Sequence, residues 1–347
     1  ADAFREVQVG EAFADPGIAI DLEIGDYVYR YSYDHFLPTD EHGRDPASDS
    51  EVLYVVGAAG WAPLFERDDD EVVLTGRENT IELNHSAAVM PALASLLPED
   101  DPLQEHLRRV MAVLRGIRYY LGHGVIESGN PRWVNPAVGL ISKATYEAWA
   151  VADDGRNNDD TSLLLRIIHA HQTAPDVFAE LKSRVGVEGL GVIRDIRVTT
   201  LVETSATKRR RGPLYYDVVF EPMSQENVEL SLGQLSRGTQ QMLYLMIALL
   251  FDRSSTMLVE QPEDGIHPAL LVKLIDLLRV NADPTQVILA SHSPTVLSQL
   301  QPADVRLVEM VDGSTRVRAL TEAEVSRAQE YMQRDGSLAE FLELIQD

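Results

Sequence analysis

The stretch Thr256 to Pro268, TMLVEQPEDGIHP, ends an apolar run on the carboxylate of Glu260 and continues through Gln261, Asp264 and His267. Upstream stands Leu235-Ser236-Arg237-Gly238-Thr239-Gln240, and downstream Ala290-Ser291-His292-Ser293-Pro294. An apolar run that ends in a carboxylate puts a candidate Mg2+ ligand at the mouth of a parallel sheet, and hard oxygen donors suit that ion. A Ser/Gly turn that opens a helix offers bare backbone N–H groups and a favourable dipole to a phosphate. A histidine just past a second buried strand can reach the same phosphate. Each feature has a plainer account alone, since an acid at a strand end is often a helix cap and a lone histidine is often structural. Three phosphate-directed elements in this order imply a nucleotide hydrolase.

The elements that hold these groups follow from the flanking pattern. Ser236 opens a helix whose interior carries Met242, Leu243, Leu245, Met246, Ala248 and Leu249. Met257-Leu258-Val259 reads as a short continuous apolar strand, as expected where both faces of a sheet are covered. Pro268 starts a helix with Leu270, Leu271, Leu274, Ile275 and Leu278 on it, and Val287-Ile288-Leu289-Ala290 is the next strand. Pro294 begins another helix, Val305 to Val308 with Thr315 to Ala319 suggests a hairpin, and a helical tail spans Glu322 to Gln346.

Over residues 225–311 these motifs resemble an ABC-type ATPase of the SMC/OLD/RecF-like branch, a group of AAA-family ATPases met in DNA repair and phage defence. The family pattern hhhhEEPExxLHP corresponds to MLVEQPEDGIHP, its signature to LSRGTQQ, and its His loop to ASHSP. The resemblance implies an α/β fold, an ABC-ATPase head with a parallel core sheet, an antiparallel β subdomain and a helical insertion. It also implies a division of the chain. Residues 1–85 would be the antiparallel β part of the N-terminal ATPase lobe, 86–189 the helical insertion, and 190–347 the C-terminal ATPase lobe.

Residue by residue, the resemblance makes Glu260 the Mg2+ ligand and sets Gln261 and His292 at the catalytic positions, with His292 sensing the γ-phosphate. Ser236, Arg237, Gly238 and Gln240 fall in the signature that meets the ATP of a second subunit, and Asp264 and His267 in the loop that crosses the dimer seam. ATP and Mg2+ are the implied cofactors. The implied assembly is a homodimer or higher homo-oligomer joined through the triphosphate. A nuclease or other effector in genome defence or repair is the implied partner, although no nuclease sequence occurs in the chain. A non-hydrolysing nucleotide-binding module is a second reading, and a transporter cassette is disfavoured by His267-Pro268 and by the helical insertion.

Two departures from the pattern bear on activity. No GxxxxGKS or GxxxxGKT occurs, and Gly139-Leu140-Ile141-Ser142-Lys143 lacks the second glycine needed to wrap a pyrophosphate. The chain starts at Ala1 without methionine, so the resemblance implies a preceding segment that carries the phosphate loop; a protein without one is the alternative. The residue after Glu260 is Gln261, where the family has the glutamate that polarises the attacking water. An amide cannot accept that proton, yet it keeps the shape and can hold a water. Bound ATP, a formed dimer and very slow turnover are the expected outcome. Either an exchange that traps the ATP-bound state or a native glutamine that makes a binding switch would account for it.

Composition limits the remaining possibilities. A chain of 347 residues with 45% hydrophobic residues can bury one large or two modest cores. Cysteine is absent, which excludes disulfides, thiolate zinc sites and cysteine nucleophiles and fits a cytoplasmic protein. No run has the length of a membrane span. The net charge of −25 repels a phosphate backbone from the surface as a whole, so any nucleic-acid contact must be local. The sharpest candidate is the turn Lys208-Arg209-Arg210-Arg211, between strand-like segments 192–202 and 215–220; a merely solvated turn is the alternative.

Elsewhere, residues 17–84 read as β-rich, with a loop from Pro38 to Ser50. Tyr29, Tyr31 and Trp61 could stack an adenine, though strand aromatics more commonly pack in a core. From 86 the period becomes helical, with Leu103, Leu107, Val110, Met111, Leu114 and Ile117 on one stripe of a helix about eighteen residues long. Arg108, Arg115 and Arg118 lie off that stripe, as a solvated flank or a partner-facing patch. Asp153 to Asn158 reads as a turn and helix cap, since the spacing of a calcium loop is missing. No sustained heptad appears, so long coiled-coil arms are excluded.

Overall fold

The computed structural model describes residues 3–9, 17–36, 48–57, 60–84, 88–121, 140–152, 163–202, 214–252, 254–311, 314–334 and 336–346. Seven strands come first: β1 (Ala3–Val9), β2 (Gly17–Ile24), β3 (Tyr27–Phe36), β4 (Ser48–Gly57), β5 (Gly60–Asp68), β6 (Glu71–Leu74) and β7 (Thr80–Glu82). Helices α1 (Val89–Leu96) and α2 (Pro102–Arg115) follow, then β8 (Ile117–Leu121), β9 (Leu140–Ser142), α3 (Lys143–Ala152), α4 (Leu163–Thr173) and α5 (Pro175–Val185). Strands β10 (Ile193–Val202) and β11 (Leu214–Pro222) lead to α6 (Arg237–Ile247), β12 (Thr256–Glu260), α7 (Pro268–Asn281), β13 (Gln286–Ala290) and α8 (Pro294–Leu297). The chain closes with β14 (Arg306–Val311), β15 (Ser314–Ala319), α9 (Glu322–Arg334) and α10 (Leu338–Gln346).

The fold is mixed α/β, with the parallel pair β12–β13, antiparallel sheets and several helices, as the sequence led us to expect. It forms two compact units, Ala1–Ile117 with Arg306–Leu320, and Arg118–Val305 with Thr321–Asp347. In the first unit, β1 to β7 form an antiparallel meander in sequence order. Its buried Leu22, Leu53, Phe65 and Val72 share a core with Val89, Leu93, Leu107 and Val110 of α1 and α2. Asp101 caps α2, accepting from Leu103 N at 3.0 Å, with Pro102 in the first helical position. The α2 stripe buries Leu103, Leu107, Val110 and Val113, with Met111 and Leu114 partly buried beside them. The helix ends at Gly116, and Ile117 belongs to β8 instead of the last helical turn. Tyr29 is fully buried, with its hydroxyl 2.8 Å from His106 Nδ1, whereas Trp61 is exposed under the guanidinium of Arg30.

In the second unit, β10, β11 and β9 form an antiparallel sheet, and β12 lies between β13 and β8 in another. The pairing of β10 with β11 matches the hairpin read from the sequence. The Ser142-Lys143 pair weighed as a phosphate loop is otherwise engaged. Ser142 pairs with Tyr215 in the β9–β11 ladder and its Oγ accepts from Thr145 N at 3.0 Å, while Lys143 Nζ lies 3.5 Å from Glu147. Of the loop read from Pro38 to Ser50, Ser48 to Ser50 belong to β4 and the rest falls outside the described residues, as do the turn at 153–158 and the basic turn at 208–211.

The core of the second unit encloses an ion pair. Arg166 on α4 is fully buried and donates to Asp252 Oδ2, an atom that also accepts from Tyr120 Oη at 2.8 Å. Asp252 ends the π-helical turn Ala248–Asp252 that continues α6. The Tyr244 ring lies 5.7 Å from the Arg166 guanidinium and meets Tyr120 edge-on at 5.5 Å. Burial is the largest effect and holds the Asp252 carboxyl above its ordinary value, with the Arg166 guanidinium and Tyr120 phenol offsetting only part of it. Removing the cation strands a buried carboxylate. Arg166→Met should therefore cost about 3–5 kcal/mol in chemical unfolding, and Arg166→Met combined with Asp252→Leu should recover much of that loss.

Candidate functional site

Parallel pairing sets the site. Thr256 to Glu260 lie in register with Gln286 to Ala290, so Glu260 stands opposite Ala290 at one end of both strands. The pairing continues one step further, with Gln261 N donating to Ala290 O at 2.8 Å. Gln261 adopts a left-handed backbone, φ 49°, which turns the chain sharply out of the sheet. Asp264 N then donates to Gln261 O at 3.2 Å and Ile266 N to Glu263 O at 3.1 Å, which closes a tight turn. His267 ends the turn as the cap of α7: its Nδ1 accepts from Ala269 N at 3.3 Å, and Pro268 follows as the first helical residue.

The histidine loop is fastened to this turn. Ser291 Oγ donates to the Glu263 carboxylate, 2.9 Å from each oxygen, and accepts from Ser293 N at 3.0 Å. The bend past β13 is thereby fixed from inside, and His292 between the two serines faces solvent. Glu263 is not among the site residues expected from the sequence. Its function as the clasp between two loops needed the tertiary structure, although an acid two places before Gly265 and a serine just before His292 were visible.

The start of α6 abuts the same turn. Ser236 caps the helix, accepting from Thr239 N at 3.2 Å, with Thr239 Oγ1 at 2.8 Å. A side chain added at Gly238 would put its Cβ 2.2 Å from Gly265 O and 3.2 Å from Ile266 Cα. Gly265 reciprocates with φ 68°, a left-handed conformation that glycine adopts without strain. Ser236 and Arg237 are exposed beside this contact. Gln240 is buried, and its amide donates to Leu232 O at 2.7 Å and Leu235 O at 3.2 Å, which braces the approach to the helix. Ser236, Gly238, Gln261, Asp264 and His267 are thus brought to one neighbourhood after β12, with His292 on the adjoining loop.

A residue not foreseen from sequence touches the candidate metal acid. Tyr119 of β8 donates its hydroxyl to Glu260 Oε2. That hydrogen bond first, and partial burial after it, raise the phenol above its ordinary value, so it remains a donor at neutral pH. Among the described residues no group of three or more His, Asp or Glu could hold a metal unaided. The carboxylate of Glu260 at the end of β12 is a hard oxygen donor of the kind Mg2+ takes together with substrate phosphates.

A family model described as "AAA domain, putative AbiEii toxin, Type IV TA system" matches residues 96–298, more than half of the chain. The chain belongs to this AAA-domain family. It is therefore an ATPase-family domain, of a class that binds nucleotide. No curated protein matches the AAA-domain chain. Among solved structures, an Smc head bound to the C-winged helix domain of ScpA is similar with a TM-score of 0.41 and 13% identity, over 86% of this chain and 76% of that one. The SMC head domain from Thermotoga maritima gives a TM-score of 0.34 and 12% identity, over 84% and 74% of the two chains. An Smc head with an extended coiled coil bound to the C-terminal domain of ScpA, from Pyrococcus furiosus, gives 0.34 and 11%, over 89% and 81%. No helix among the described residues is long and apolar enough to cross a membrane.

The close approach at Gly238 gives a direct test. Gly238→Ala must push the start of α6 and the Gly265 backbone apart, so chemical unfolding should show a loss of about 1–3 kcal/mol. An unchanged midpoint would mean that the two backbones do not touch.

Proposed function

We propose that the chain carries the acid, the histidine and the signature of an ATP-Mg2+ site that closes between two copies of the protein. The observation that carries this reading is the convergence of three phosphate-directed elements. Glu260 ends β12, the Ser291–Ser293 bend is clasped by Glu263, and the Ser236-capped N-terminus of α6 rests on Gly265. In this reading Glu260 holds the ion, which, when bound, neutralises charge on the transferring phosphoryl group. His292, free of the core, reaches the γ-phosphate by hydrogen bond. Ser236, Arg237 and Gly238 offer a capped helix start to the triphosphate of the second copy, and Asp264 and His267 flank the seam. Gln240 serves the same signature by bracing its turn from below.

Gln261 sets the rate in this proposal. Its amide can hold a water in line but cannot take its proton, so the ATP-bound dimer persists. In the full-length protein, single-turnover hydrolysis by Gln261→Glu should exceed that of the present form by about 10²–10⁴-fold, the range a positioned general base contributes. ATP binding with equal inactivity of both forms would instead identify a non-hydrolysing nucleotide switch.

We also propose that ATP-dependent dimerisation controls a nuclease or other DNA-processing partner in genome defence or repair, on the support of the motif resemblance. A net charge of −25 makes the surface as a whole a poor DNA ligand, which leaves Lys208, Arg209, Arg210 and Arg211 as the candidate contact. Purification from the native host should bring a nuclease or DNA with the chain, and recovery of neither sinks the partnership.

A further inference from the structure

Glu260 is the acid that the proposed function gives to Mg2+, and one of its two oxygens is already committed. Oε2 accepts the hydroxyl of Tyr119, while among the described residues no donor approaches Oε1. Tyr119 is 52% exposed, so burial alone does not fix its side chain. Its position comes from the strand beneath it. β8 lies beside β12 in the sheet, and the next residue, Tyr120, is 1% exposed with its hydroxyl on Asp252. Asp252 is gripped in turn by Arg166. The buried ion pair thereby anchors the strand that aims Tyr119 at the carboxylate.

A carboxylate oxygen that accepts a hydrogen bond is the poorer donor of the two, so the other oxygen is the one offered first to a metal. Mg2+ asks for that, because its small octahedral shell takes carboxylates through one oxygen and keeps waters or phosphates elsewhere. Ca2+ is larger, takes more oxygens, and gains from a carboxylate that binds through both. Hydrogen bonds to a ligating carboxylate also fix its orientation, and their loss commonly weakens a metal site about 10–100-fold.

The geometry points to Tyr119 as a positioning residue that holds Glu260 to one-oxygen coordination and so gives the nucleotide site its preference for Mg2+ over Ca2+. The inference rests on Glu260 being the metal acid. Tyr119→Phe keeps the ring and the strand but returns Oε2 to the metal, and neither Tyr120 nor Asp252 is disturbed.

The test is calorimetric titration of the full-length protein with ATP in the presence of Mg2+ and, separately, of Ca2+, for the present form, Tyr119→Phe and Glu260→Gln. We expect Tyr119→Phe to weaken Mg2+-dependent ATP binding about 10-fold while Ca2+-dependent binding holds or tightens, so that the ratio of the two falls. Equal weakening with both ions would show a structural effect only, and an unchanged ratio would show that Tyr119 does not govern the acid; either overturns the inference. The arms separate this from the wider reading. If the unaltered protein binds ATP identically with and without a divalent ion, or Glu260→Gln leaves the metal dependence intact, the assignment of Glu260 itself fails.

Discussion

The five-step parallel ladder between β12 and β13 is the constraint on which the site depends, because it decides where Glu260 ends and where the histidine loop begins. A slip of one residue would reverse which face each side chain of β12 meets, driving the buried Met257 and Val259 out of the core. Apolar burial therefore holds the register, and the polar groups at the strand ends inherit their positions from it. The Glu263–Ser291 clasp adds a lateral tie between the two loops just past the ladder. Neither loop has a sizeable apolar anchor of its own, apart from the buried Pro262 and Ile266.

A second layer of support comes from behind. The α6 helix begins at the candidate phosphate-facing turn and ends, through its π-helical extension, at Asp252. The buried carboxylate joins that end to α4 through Arg166 and to β8 through Tyr120. One helix therefore links the signature residues at its front with the strand that carries Tyr119 at its rear. Movement at either end must be accommodated by a charged contact buried from solvent, and such contacts tolerate few geometries.

Much of this architecture was legible in the sequence, and the reasons are local. Ser236, Pro268 and Pro294 each announce a helix start, and the apolar run before Glu260 is too short for a helix and too continuous for an exposed strand, whereas the strand read as buried before Ala290 is only partly so, with Ile288 exposed. What escaped was set by distant partners. Ile117 continues the helical spacing of α2, yet Gly116 ends that helix and Ile117 turns into β8. β9 spans Leu140–Ser142 only, too short for any alternation to register. Tyr119 carries no mark in its neighbours, because its partner lies 141 positions away in the chain. Gln240, part of a phosphate-facing motif by pattern, spends its amide nitrogen on the backbone beneath it, a choice that only the folded turn dictates.

The left-handed backbone at position 261 has an evolutionary corollary. Its steric cost arises at the Cβ atom, so glutamine and glutamate bear it alike, and their side chains fill nearly the same volume. Foldability is then blind to the exchange, which requires a single base change in the codon. A lineage can exchange the two residues at this position without crossing a valley of unfolded intermediates.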